Sequence, residues 1–391
     1  MPHYRNRYIV ASLKKKLRFS PVVAIQGVRQ SGKSFLVREL LPKEIKHAHY
    51  ETFDRKITRD FASTNPETFL SKFIDNYPLI IDEAQKVPEI FDAVKFVVDQ
   101  SRTPGKFLLL GSTEFSKTTL ISESLTGRMS RIRIFPLTLS ETLSLPQRQI
   151  NLRKPFHEEA RFKRNNLVRY LDRGGMPAIF SIHSLKEQEL AFEDWITLTC
   201  DRDLRQIPNL KLDSNLARNI LEKIAKLEEP TAGNISASLG KDLRKIKIHL
   251  ESLETLFVVH KINPYQKSTG KPVYLLCDTG IASFFGATFE RKLETHLVLH
   301  VLAAMSYQME AKTQLSFYRS STGARIQLLI TVGAKTTAIK IMPTEKIDLR
   351  EIAVLTAFQK KYPDITTLAF GPERFSLKKD KIEIYPWESL G

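Results

Sequence analysis

The chain has 391 residues, more than one compact domain and enough for two or three. Its hydrophobic fraction of 42% and charged fraction of 26% exclude wholesale disorder, a collagen-like chain and a disulfide-rich mini-protein. With 60 Lys and Arg against 43 Asp and Glu, the formal net charge is +17, which points to an anionic partner, nucleic acid or nucleotide ahead of a membrane. A generally basic, solvated surface is the plainer reading. Cys200 and Cys277 stand alone, as expected of core thiols in a reducing compartment. No apolar run approaches the ~20 residues of a membrane span. The basic residues 1–19 lack the apolar stretch of a signal peptide, so the expected location is cytoplasmic.

In chain order, short apolar runs at residues 22–25, 79–81, 107–110 and 132–135 read as strands. Helical periodicity lies between them, at 33–41 and 90–98. That alternation predicts an α/β domain around a buried parallel sheet. Residues 156–227 read mostly as helices, broken at Gly174, Gly175, Pro177 and Pro208. Residues 231–265 read as helix, turn at Gly240, helix and strand, the order of a winged helix-turn-helix. A helix at 293–305, strands at 315–318, 326–332 and 336–342, a helix at 350–361 and a strand at 366–370 suggest a smaller α/β unit. The expected division is therefore 1–150, 151–285 and 286–391.

The sharpest signal is Gly27-Val28-Arg29-Gln30-Ser31-Gly32-Lys33-Ser34, which matches GxxxxGK[ST] at every fixed position. Gly27 and Gly32 let the backbone curl until its N–H groups face an anion, and the helix that follows turns its positive end to the same place. The segment through Phe35 is the expected nucleotide-binding stretch. Lys33 is placed for the β- and γ-phosphates and Ser34 for Mg²⁺. The run at 79–81 ends in Asp82 and Glu83, the form of a Walker B motif. Asp82 would hold Mg²⁺ through its water shell, and Glu83 would orient or deprotonate the attacking water. The run at 107–110 ends in Gly111-Ser112-Thr113. Ser112 first, then Thr113, is a candidate γ-phosphate sensor, with an ordinary turn as the alternative. Among Arg128, Arg131 and Arg133, Arg128 is the candidate finger on a neighbouring subunit's nucleotide; a surface arginine is the plainer reading.

These residues resemble a family of prokaryotic AAA-type ATPases in which an AAA domain is followed by a conserved domain of unknown function. The phrases that carry the resemblance are GVRQSGKS, PLIIDEAQKVP, FLLLGST, LTGRMSRIRIFPLTLSE, RYLDRGGMPAIF, DRDLRQI, LFVVHKINPY and VYLLCDTGI. They occur in the same order over most of the chain. The resemblance implies an AAA+ core using ATP and Mg²⁺, a helical and winged-helix middle region, and a C-terminal domain similar to restriction-endonuclease folds. It also favours Arg128 as a finger, and with it a homo-oligomer. The family often has Asn after the sensor Ser, whereas Thr113 follows Ser112 here.

The same resemblance sets Gln327, Lys340 and Met342 where family members carry Asp, Glu and Lys resembling a nuclease metal site. Glu294 remains as an acidic remnant. A lysine in a carboxylate's place repels a hard cation, so a retained fold without cleavage is expected. Lys241, Arg244, Lys245 and Lys247 on the second winged-helix helix suit phosphates in a DNA groove, although Glu251 and Glu254 follow and such modules also pack against proteins. His47 and His49 read as surface residues. The combined expectation is an ATPase that rearranges its C-terminal domains on nucleic acid. A nucleotide-gated scaffold and an active nuclease are the alternatives.

Overall fold

The computed structural model describes residues 5–43, 45, 48–73, 77–115, 125–147, 151–152, 160–207, 210–266, 268–309 and 312–390. His47 and Pro208 lie outside them. Packing groups the chain into two units, His3–Phe135 with Thr255–Phe257, and Pro136–Glu254 with Val258–Gly391.

In the first unit, α1 (Ile9–Leu17) precedes β1 (Val22–Gln26), and α2 (Lys33–Phe35) follows the glycine loop and widens into a π-helical turn over Leu36–Leu40. Then come β2 (His49–Thr52), α3 (Lys56–Thr64), α4 (Pro66–Ser71), β3 (Leu79–Asp82), α5 (Glu89–Gln100), β4 (Phe107–Gly111) and β5 (Met129–Arg133). The five strands are parallel in the order β2-β3-β4-β1-β5. Every residue of β1, β3 and β4 is buried, which is why these runs are apolar without alternation. The edge strands gave weaker signals. No residue of β2 is fully buried, so it showed no apolar run. In β5 only Ile132 is buried, and the strand starts earlier than the run at 132–135 suggests.

The second unit contains α6 (Leu139–Thr142), α7 (Arg164–Arg173), α8 (Pro177–Phe180), α9 (Leu185–Leu198), α10 (Ser214–Lys226), α11 (Ala232–Leu239) and α12 (Leu243–Thr255), whose last residue packs with the first unit. After β6 (Val259–Pro264), β7 (Val273–Leu276), α13 (Thr279–Phe284) and α14 (Phe289–Gln308) come β8 (Thr313–Arg319), β9 (Arg325–Val332) and β10 (Lys335–Ile341). α15 (Leu349–Lys361), β11 (Thr366–Gly371), β12 (Leu377–Lys379) and β13 (Ile382–Pro386) complete the unit. All eight of these strands form one sheet, ordered β12-β13-β11-β10-β9-β8-β6-β7. The join is the parallel pairing Asn263↔Ser316 and Pro264↔Phe317. Packing therefore runs across residue 285, where the sequence suggested a boundary. β9 and β10 pair antiparallel. Leu293, Leu297 and Val301 of α14 share a core with Leu328, Ile330 and Ile339. Ile352, Leu355 and Phe358 of α15 share another with Ile326, Leu329 and Ala338.

One buried carboxylate ties distant segments of this unit together. Asp278 accepts from Gly175 N at 2.7 Å, Gly280 N at 2.8 Å and Ile281 N at 3.3 Å. Burial pushes its carboxyl up to about 6 despite these N–H donors. His296 of α14 lies 2.7 Å from the Leu390 carbonyl, and burial pulls its imidazole down to about 4. Among the described residues no helix is long and apolar enough to cross a membrane.

Candidate nucleotide site

The phosphate loop leaves the carboxyl end of β1, between β4 and β5. Backbone at Gly27 passes so close to β5's exit that a Cβ there would stand 2.2 Å from the Ile134 carbonyl oxygen. Gln30 at φ +62° and Gly32 at φ +94° make the left-handed turns that curl the loop. Lys33 is buried, and its Nζ donates to Gly27 O at 2.8 Å and Val28 O at 3.0 Å. Arg7, also buried, braces the loop: Nη1 donates to Ser31 O at 2.8 Å and Nη2 to Phe135 O at 2.6 Å.

Asp82 ends β3 on the same carboxyl edge and is 3% exposed. Its Oδ2 accepts from Ser34 Oγ at 2.6 Å and Tyr50 Oη at 2.7 Å, and its Oδ1 accepts from Glu83 N at 3.0 Å. Burial, then the hydrogen bond to Asp82, push the Tyr50 phenol well above its ordinary range. Glu83 sits in the left-handed region at φ +55°. Its Oε2 accepts from Gln85 Nε2 at 2.5 Å and Ser112 Oγ at 3.2 Å, and Gln85 Nε2 also lies 3.2 Å from Ser112 Oγ. Gln26 Nε2 donates to Thr113 O at 2.8 Å. Lys33, Ser34, Asp82, Glu83 and Ser112 thus meet on one edge. Sequence reasoning missed Arg7, Tyr50 and Gln85. Of these only Gln85, inside the phrase IIDEAQ, lay beside a recognisable motif.

Arg128 stands apart. Met129 pairs with Val22 and Arg133 with Gln26, so Arg128 lies at the amino end of β5. Five residues of strand put it roughly 16 Å from the edge where the loop leaves β1. Its guanidinium grips Asp99 with Nε at 2.5 Å and Nη2 at 2.9 Å. Arg133, at the other end of β5, lies 4.8 Å from the Phe135 ring centroid and 4.5 Å from that of Phe257.

In the second unit Glu294, Gln327 and Lys340 lie among fixed cations. Glu294, 2% exposed, is paired with Arg291 Nη1 at 2.6 Å and Arg325 Nη2 at 2.5 Å. Lys340 Nζ is 2.7 Å from Glu351 Oε2 and donates to Arg325 O at 2.6 Å. Gln327 Nε2 donates to Glu290 Oε1 at 3.4 Å, and its Oε1 accepts from Ile341 N at 3.2 Å. Burial, then the Glu294 charge, raise the Glu290 carboxyl above its ordinary range. Met342 is buried in the apolar core. Earlier in the same unit, Lys241 just before α12 and Arg244, Lys245 and Lys247 in its first turns are exposed.

The first unit is a parallel-sheet α/β core of the phosphate-loop kind, with the glycine loop and the Asp82–Glu83 pair on its carboxyl edge. Residues 19–143 match the family described as "AAA domain". Residues 164–291 match "Domain of unknown function (DUF8612)". Two relatives, uncharacterized protein Rv2008c of Mycobacterium tuberculosis and uncharacterized protein Mb2031c of Mycobacterium bovis, are each 25% identical over 355 residues, covering 86% of this chain and 74% of theirs. Among solved structures, a Walker-type ATPase of Pyrococcus abyssi overlaps with TM-score 0.45 at 14% identity, over 71% of this chain and 94% of that one. The RuvB Holliday junction branch migration motor of Thermotoga maritima overlaps with TM-score 0.30 at 15% identity, over 68% of this chain and 95% of that one.

Proposed function

We propose that the protein is a Mg²⁺-dependent ATPase whose nucleotide state rearranges its second unit, acting on DNA. The observation that carries this reading is the convergence of Lys33, Ser34, Asp82 and Glu83 on one sheet edge. Ser34 Oγ and Asp82 are hard oxygen donors and fit Mg²⁺, which when bound would neutralise charge on the β- and γ-phosphates. Lys33 binds those phosphates, Asp82 orients Ser34, and Glu83 orients or deprotonates the attacking water. Ser112 touches the Glu83 carboxylate and so suits a sensor. Arg128, too far to serve its own chain, acts on a neighbouring subunit after leaving Asp99. The test is phosphate release by the purified protein with Mg²⁺ or EDTA. Turnover that survives Lys33→Ala sinks the assignment.

Nucleic acid is the proposed partner of the second unit. The order α10, α11, α12 and hairpin β6–β7, with the bridge Thr231↔Val273, supports a winged helix. The exposed cations at the start of α12 suit phosphates. Binding to a DNA duplex should then fall steeply as salt rises, and reversal of Arg244, Lys245 and Lys247 to Glu should weaken it. The sheet beyond it is read as a restriction-endonuclease-like fold without cleavage, because Arg325 and Lys340 supply the charge a metal would otherwise bring. One observation favours the scaffold alternative: Gln85 and Ser112 both engage Glu83 Oε2, which restrains the group that hydrolysis needs.

A further inference from the structure

Tyr50 has no part in any motif, yet its hydroxyl is bonded to the carboxylate at the centre of the site. β2 and β3 run parallel with Thr52 opposite Asp82 and Tyr50 opposite Ile80. Tyr50 therefore starts two residues behind Asp82, about 7 Å along the strand. A side chain must be long to bridge that offset and must carry a donor at its tip. Tyrosine meets both needs. Its ring lies beneath the Arg38 guanidinium, 5.5 Å from the centroid, which favours one orientation.

The consequence lies in the acceptor count. A carboxylate oxygen offers about two lone-pair positions. Asp82 Oδ2 receives Ser34 at 2.6 Å and Tyr50 at 2.7 Å, so both are used. Among the described residues Oδ1 receives only the Glu83 N–H, at 3.0 Å. A serine hydroxyl has one proton and two lone pairs, so Ser34 can ligate a cation while still donating to Oδ2. That route leaves Oδ2 closed to direct ligation as long as Tyr50 stays bonded.

We propose that Tyr50 is a positioning residue that sets the cation preference of the site: by filling Asp82 Oδ2 it bars two-oxygen ligation by the carboxylate. The proposal rests on the phosphate-site reading above. Mg²⁺ keeps its waters and takes few direct carboxylate ligands, whereas Ca²⁺ accepts bidentate carboxylates readily. A carboxylate with one oxygen blocked disfavours Ca²⁺ far more than Mg²⁺.

The test is the affinity of the full chain for a fluorescent ADP analogue in EDTA, Mg²⁺ and Ca²⁺, for wild type, Tyr50→Phe and Tyr50→Leu. Both variants should match wild type within about twofold in EDTA and Mg²⁺. Both should bind about tenfold more tightly in Ca²⁺, the weight of one hydrogen bond to a charged group. With Mn²⁺ and ADP, electron paramagnetic resonance in ¹⁷O water should count fewer inner-sphere waters in the variants. An unchanged Mg²⁺-to-Ca²⁺ preference, in a wild type that binds the analogue, overturns the proposal alone. Loss of EDTA binding in both variants makes Tyr50 a structural residue and also overturns it. A wild type that binds no analogue under any condition removes the phosphate-site reading, and this proposal with it.

Discussion

Asp82 in the first unit and Glu294 in the second are both buried carboxylates, and the two have opposite partners. In the first, Asp82 is bonded to two hydroxyls and one backbone N–H, all neutral. In the second, Glu294 is bonded to two guanidiniums. Neutral donors orient a carboxylate and leave its charge for an incoming cation. Fixed cations cancel that charge permanently. Whether a buried acid can serve metal chemistry is decided by the charge of what surrounds it.

Four experiments can break or sharpen this contrast. The largest effect is expected for Glu83→Gln: nucleotide still binds while ATP turnover falls about 10²–10⁴-fold, because the amide keeps the shape and loses the basicity. A variant that fails to bind a nucleotide analogue would give Glu83 a different role. Next is Glu294→Ala, which leaves the buried Arg291 and the part-buried Arg325 without the carboxylate between them. Denaturant unfolding of the second unit should show a loss of roughly 3–5 kcal/mol, with nucleotide affinity unmoved. A loss near zero would mean that the ion network is solvated and that the contrast is wrong. For Arg128→Ala, nucleotide affinity should hold and turnover should fall. Mixing with Glu83→Gln should restore part of it if the arginine works between subunits.

The smallest effect concerns pH. Asp278, folded near 6, favours the fold at low pH and loses that contribution as pH rises from about 4 through 6. His296, folded near 4, contributes above about 6.5 and loses it as pH falls toward 4. The two slopes oppose each other. In His296→Gln, stability measured between pH 4 and 6.5 should therefore rise more toward acid than in wild type. Parallel curves would show that burial of His296 does not hold it neutral.

The phosphate loop and the Asp82–Glu83 pair were legible because each is continuous in sequence and follows an apolar run. The strands β1, β3 and β4 were legible for the same reason. Tyr50 was not, because β2 shows no apolar pattern and the tyrosine matters only once β2 lies beside β3. Arg7 was hidden likewise: it touches Ser31 and Phe135, the latter 128 positions away. The position of Arg128 follows from strand direction and its partner Asp99 from packing, and neither is written in the GR dipeptide. The join of β6 to β8, which spans residue 285, was invisible because it is made by short pairings between residues far apart in sequence.

That join bears on how the protein can be cut. The segment at 164–291 that matches a family of its own carries β6 and β7, while the six strands that continue their sheet begin at Thr313. A fragment ending at 291 would expose the β6 edge that β8 covers, and would cut α14 off just past its start, before the residues it packs on the sheet. Unpaired strand edges recruit one another, so such a fragment should self-associate where a fragment carried through Leu390 stays dispersed.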